Sequence, residues 1–335
     1  MSNKSINKME AEDFQPSFYD KKGINKPLIL MSIAVVFLGI VSLFIGVYDI
    51  FGKEDGLRMF FVTRIPRTIA LMLAGAAMSL SGLVMQLLTQ NKLVVPTTTG
   101  TIEWAGLGLL FVYVLVPSPT MVQRMIGAMI FAFFGTMVFF ALLRKIKLRS
   151  SLIVPIIGMM LGAVVSAFST FMGLAFDMSQ SISNWFIGSF ATVQIGRYEF
   201  LWLIVIVTIV IYKFADKLTV AGLGEDIATS LGMNYNQVVL IGTGLVSFTI
   251  GLVAVVIGNL PFLGLIVPNV ISMYRGDNLR GNLPWVCLLG MAIITVCDIL
   301  SRVIISPFEV PVSLILGTLG SVVFIIIILK QRRTR

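Results

Sequence analysis

The chain has 335 residues, 57% hydrophobic and 12% charged, with a formal net charge of +9. Soluble domains carry about 25% charged residues, so this complement cannot cover a water-facing surface, and the apolar excess must face lipid. The positive charge comes with no soluble module and no RNA- or DNA-reading motif, so no nucleic-acid partner is expected.

Residues 1–27 are polar and mixed in charge. They are too long for a signal-peptide leader and precede no small-residue cleavage site, so they read as a cytoplasmic tail. Apolar runs then follow near 28–48, 61–83, 98–116, 121–143, 151–175, 198–214, 237–258, 283–305 and 309–329, and a shorter run, 260–274, contains Pro261 and Pro268. A segment in lipid must satisfy its own backbone, so each run is expected to be a helix. The alternating pattern of a membrane β-barrel is missing. The expected fold is all-α: about ten transmembrane helices, some short or broken, in one domain over 28–330, with 331–335 a second cytoplasmic tail.

The basic residues set the orientation. With ten alternating spans and the N-terminus inside, 18 of the 25 Lys and Arg residues fall inside. The outside receives Lys53, Arg58, Arg64, Arg67, Arg124, Arg197 and Arg302. This bias places both termini in the cytoplasm, and it fails if the short 260–274 run is left out.

Three connections are long enough to hold structure: outer loops 49–60 and 176–197, the latter with Trp185 and room for an interfacial helix, and inner loop 213–236. Small residues in AGAAMSLSG (74–82) and GMMLGAVVSA (158–167) suit close helix packing. Pro96 before Thr97, Thr98, Thr99 and Gly100 suggests a broken span, as do Pro261 and Pro268 around FLGLI. Broken helices are tolerated where the backbone lines a cavity or is buried in protein. Simple kinks are the alternative. Thr97, Thr98, Thr99, Glu103, Trp104, Pro268 and Asn269 are therefore candidates for a translocation path. Trp104 could stack on an aromatic chelator, but on its own it reads first as packing against a neighbouring helix.

Several chemistries find no residues here. The chain has no histidine, so it offers no His-ligated metal or haem site and no imidazole base. Cys287 and Cys297 stand about 15 Å apart on a helix, too far for a disulfide. Gly52-Lys53 is followed by Glu54, so there is no ATP-binding P-loop. Intramembrane acids are reduced to Glu103, Asp177 and Asp298, too few for an ion-driven carrier to be the first choice. Energy is expected from a partner.

GEDIATSLGMN (224–234) reads as a short cytoplasmic helix bounded by glycines, with Glu225 and Asp226 in the first turn, where carboxylates suit the helix dipole. Alone it is equally a loop helix without a partner. Other motifs accompany it: Arg64-Ile-Pro-Arg67-Thr, then LMLAGAAMSLSGLVMQLLTQNKLVVPTTTG, FLGLIVPNV (262–270), CDILSR (297–302) and PFEVPVSLILGTLGSVVF (307–324). This ordered set resembles the permeases for iron–siderophore, haem and vitamin B12 uptake, the type II ABC importers, over roughly residues 30–330. The stretch NKLVVPTTTGTIEWAGLG (91–108) looks most like the catecholate-siderophore branch. Lys92 departs from the family's NPL pattern, and Asn269 stands where the family often has His.

The resemblance implies a vitamin-B12-permease-like fold working as a dimer, either of two copies or of one copy with a sister permease. Two ATPase subunits would lie below it, holding ATP and Mg, and a siderophore-binding protein above. No cofactor is expected on this chain. The implied ATPase-coupling residues are Gly224, Glu225, Asp226, Ala228, Leu231 and Gly232. Arg64, Arg67 and Arg302 match arginines that receive acidic residues of the binding protein, a role suited to a planar guanidinium. Alternatively, Arg302 pairs only with Asp298 while Arg64 and Arg67 snorkel to headgroups. A haem or B12 permease, an ion-coupled carrier and a membrane enzyme stay as the competing functions. The last would need clustered acids near one face.

Overall fold

The computed structural model describes residues 26–46, 55–146 and 152–333. Residues 1–25 of the expected N-terminal tail, residues 49–54 of loop 49–60, and Lys147 and Arg149 of the inner basic cluster lie outside the described residues. Among the described residues there are helices and turns and no strand.

Each of the ten apolar runs forms a helix. In chain order they are α1 (Lys26–Phe44), α2 (Gly56–Leu88), α3 (Thr101–Leu115), α4 (Met121–Lys145), α5 (Ile153–Ala175), α7 (Leu203–Ala221), α9 (Tyr235–Val256), α10 (Leu263–Arg275), α11 (Leu279–Val303) and α12 (Val312–Arg333). Two short helices lie in loops, α6 (Ser179–Trp185) and α8 (Glu225–Ser230). Seven helices among the described residues are long and apolar enough to cross a bilayer on length and composition, with α3 and α10 among the shorter ones. At 1.5 Å per residue, α10 spans about 20 Å against a hydrocarbon core of about 30 Å. Both α3 and α10 follow non-helical stretches, 89–100 and 257–262. Val94, Val95, Pro96 and Leu260 in those stretches are buried, as irregular backbone at membrane depth must be.

Helix α2 is the central pillar. Its most apolar window is 83% buried, against 17% for α1. It packs on α11, α10, α9 and α7. Small residues permit the approach: a Cβ added at Gly82 would overlap the Gly264 carbonyl of α10, and one at Gly75 would lie 2.7 Å from the Gly290 oxygen of α11. The pillar also contains a π-helical turn at Phe60–Arg64. Pro66 has no N–H to offer Val62 four residues earlier, and the Val62 carbonyl instead accepts the N–H of Ile195 at 3.2 Å. Outer faces are apolar and bare, including Leu30, Val164 and Phe171, each more than 60% exposed. Such faces suit lipid or a second membrane subunit, not water.

The expected loop 213–236 is shorter than its charges suggest. Helix α7 continues to Ala221, because Ile211, Ala215, Leu218 and Ala221 stay buried at helical spacing while Asp216 and Lys217 point outward. The C-terminal helix likewise runs through Arg333, into the expected tail.

Candidate functional site

The polar chemistry gathers at the two ends of α2, which are roughly 30 Å apart between Arg67 and Leu88. At the first end, three arginines and two carboxylates meet. Arg67 donates to Asp298 Oδ1 from Nη2 at 2.7 Å and Nε at 3.2 Å, and its Nη1 forks onto Glu309 at 2.8 and 3.0 Å. Arg302 pairs with Asp298 Oδ2 at 2.5 Å and reaches back to α1, donating to Ser42 Oγ at 2.6 Å and to the Ser42 and Ile45 carbonyls. Arg64 donates to the same Ile45 carbonyl at 2.6 Å. Those carbonyls belong to the last turn of α1 and the residue beyond it, where a helix leaves its acceptors unsatisfied. Asp298 is fully buried, Arg302 is 2% exposed, and Arg64 and Arg67 are 8% exposed.

The expected Asp298–Arg302 pair is therefore present, but it is half of a wider network. Arg64 and Arg67 do not reach outward as free side chains; both point into the protein. The sequence pass missed Glu309, whose one local signal is its place between Pro307 and Pro311.

At the second end, α8 forms as one and a half turns held between two left-handed glycines, Gly224 at φ +116° and Gly232 at φ +77°. Its buried residue, Ala228, faces the bundle. Glu225, Asp226 and Gly232 are exposed, and Leu223, Ile227 and Leu231 show a bare apolar stripe, between 49% and 67% exposed. Four-residue spacing puts Ile227 and Leu231 on one side of the helix, and Leu223 stands bare just before it. The segment is tied to the pillar by the Tyr235 hydroxyl, which donates to the Leu88 carbonyl at 3.3 Å. Beside it, Lys92 bonds Asp277 at 3.0 Å and Ser272 at 2.7 Å. Burial opposes ionisation of Asp277, but the hydrogen bonds from Ser272 and Lys92 and the Lys92 charge outweigh it and hold the carboxyl below its usual range. These groups line a cavity of about 230 Å³ with Gln86, Gln90, Pro268 and Asn282.

The path candidates divide by what holds them. Thr98 closes a turn on Val95, and Thr99, Thr101 and Thr136 form a buried hydroxyl chain with 2.8 Å links. Thr97 is half-buried. Asn269 donates to the carbonyls of Lys92 and Leu265, stitching α10, next to Pro268, to the 89–100 stretch. Trp104 packs edge-on against Phe134 and over Gly135. Glu103 is different: its Oε2 is buried with no hydrogen-bond partner among the described residues and lies near Gly162 of α5. Among the described residues no cluster of His, Cys, Asp and Glu is arranged to hold a metal.

The model of the FecCD transport family matches residues 27–330, nearly the whole chain. The chain belongs to the FecCD transport family. Family relatives include the petrobactin import system permease protein FatD of Bacillus anthracis, 68% identical over 96% of each chain. YclN of Bacillus subtilis, also a petrobactin import permease, is 41% identical over 90% of this chain and 97% of its own. The ferric-anguibactin transport permease FatD of Vibrio anguillarum is 39% identical over 80% of this chain and 85% of its own. In fold, the chain matches a solved ABC transporter of metal-chelate type in an inward-facing conformation, with a TM-score of 0.78 and 24% identity, covering 92% of this chain and 100% of that one.

Proposed function

We propose that this FecCD-family chain is the membrane permease subunit of an ABC importer for ferric siderophores of the catecholate type, in the cell membrane with both termini cytoplasmic. The observation that carries the reading is the near full-length, 68% match to a petrobactin import permease. In this reading the chain does no covalent chemistry. A binding protein delivers the chelate on the Arg67 side, the chelate passes between two permease subunits, and ATP with Mg is hydrolysed on partner subunits that grip α8.

The geometry supports the two faces in different ways. The α8 helix presents carboxylates and an apolar stripe with nothing on them, as a docking helix needs. At the other face a partner carboxylate would compete for donors already in use. Three arginines share two acids there, and the hydrogen bond of Arg64 goes to a neutral carbonyl. That leaves Arg64 as the arginine best able to take an added carboxylate, with Arg67 and Arg302 holding the cluster. In this reading Thr97 and Glu103, at the broken start of α3, and Asn269 of α10 would face the chelate.

A strain lacking the gene is the test, offered ferric catecholates, ferric hydroxamates, haem and cobalamin as sole sources. Catecholate-dependent growth restored by this chain is the expected result. Restoration by haem or cobalamin alone overturns it. In the assembled importer, Glu225→Lys and Gly232→Val are expected to uncouple ATP hydrolysis from uptake. Normal coupling in both variants removes α8 from the ATPase contact.

A further inference from the structure

A second cavity, about 380 Å³, opens at the Arg67 end beneath the short helix α6. Its location follows from its walls: the end of α3, the start of α4, the end of α9, and the loop after α6. That loop is fixed, because Ser189 N–H bonds the Ile257 carbonyl at 3.0 Å and Ile195 N–H bonds Val62 in the π-helical turn.

Two chemistries meet there. Tyr113 and Trp185 stack with ring centroids 4.7 Å apart and planes 18° apart, giving a rigid aromatic wall. Arg124 donates to the Tyr113 hydroxyl at 2.9 Å, while its Nε is buried without a partner among the described residues. Arg197 also lines the cavity and has no ion pair among the described residues. The carboxylate next to it in sequence, Glu199, is engaged by the Gly196 N–H at 2.7 Å. Among the described residues no Asp or Glu lines the cavity, and Asn184 and Thr192 add neutral polar groups. A cation with a spare buried donor beside stacked rings fits a flat anion. An engineered cavity of about 150 Å³ accepts a benzene ring, so this one holds an aryl arm but not a whole chelate.

We infer that this cavity is a subsite for an anionic aryl group, one dihydroxybenzoate arm of the incoming chelate, with Arg124 and Arg197 taking the charge and Trp185 with Tyr113 the ring. The inference rests on the siderophore reading above. It moves the aromatic contact from Trp104, which is spent on packing, to Trp185.

The test uses the full chain in neutral-lipid nanodiscs and equilibrium dialysis with the iron(III) complex of dihydroxybenzoate, beside the uncharged iron(III)–acetohydroxamate complex. Saturable binding of the first and not the second is expected. Arg124→Gln with Arg197→Gln should weaken it by about tenfold or more, the usual weight of charged hydrogen bonds, and Trp185→Leu should weaken it too. Arg124→Lys keeps the cation and should restore most of the affinity. Exposed Arg197→Gln alone should still weaken binding while eluting like the unmodified chain on gel filtration. Unchanged affinity in the double variant overturns the subsite. So does equal displacement by glycerol phosphate from the unmodified chain and Trp185→Leu, which would mark a plain phosphate site. If the unmodified chain restores no siderophore growth, the importer reading falls. If it does restore growth, and the double variant matches it in growth and binding, the cavity alone falls.

Discussion

The two ends of α2 use charge in opposite ways. At the Arg67 end, Asp298 and three arginines are buried: Arg67 and Arg302 both pair with Asp298, Arg67 also forks onto the more exposed Glu309, and Arg64 and Arg302 reach the end of α1, tying α1, α2, α11 and the Glu309 loop together. At the Leu88 end, Glu225 and Asp226 point away from the bundle beside bare Leu223, Ile227 and Leu231. Buried charge without a partner is expensive, so the fully buried Asp298 has to find its cations within the chain. The second end is folded with its carboxylates and large apolar side chains left bare. One end is a brace; the other is a handle.

Four variants would break or sharpen that contrast. Asp298→Asn should have the largest effect on stability, about 3–5 kcal/mol, because it leaves buried Arg302 with no carboxylate and Arg67 with Glu309 alone; a thermal melt of the purified chain should show a large drop. Gly224→Val comes next, at roughly 1–2 kcal/mol, since a β-branched residue resists positive φ; the loss should be local, read by faster hydrogen exchange in 222–234. Breaking the Lys92–Asp277 link with Asp277→Asn should cost less than about 1 kcal/mol, because the two side chains are 51% and 62% exposed. Its pH signature has a definite sign. The folded Asp277 carboxyl lies below the ordinary 3.8, so its contribution is full above that value and fades as pH falls through the lower folded value; the variant should lack that acid-side slope. Smallest for stability, within about 0.5 kcal/mol, is Ile227→Glu with Leu231→Glu. Uptake measured in the same cells should nevertheless collapse. A large stability loss there would make α8 part of the brace.

Some of this was legible in the sequence for plain physical reasons. Lipid forces helices, so apolar runs gave the helices, and the two glycines around 225–230 gave a helix that ends where they stand. The four-residue spacing of Asp298 and Arg302 gave their pair. What lay beyond reach depends on distant partners. Arg67 meets Asp298 across 231 positions, and no local pattern encodes that. Lys213 and Lys217 looked like loop residues because charge ended the apolar run, yet the helix continues on its buried face. Trp104 offered a ring to a chelator on paper, but Gly135 leaves space for it on α4. The roles of α8, the arginines and the path residues remain proposals carried by that geometry.

The paired left-handed glycines around α8 have an energetic consequence. Ordering a flexible residue costs about 1–2 kcal/mol of backbone freedom. A partner seizing an unstructured loop would meet that cost at each of the six residues of Glu225–Ser230 in every transport cycle. Here the chain has met it once, during folding. In the proposed coupling role the grip is therefore preorganised, which would leave the contact energy for transmitting motion across the membrane.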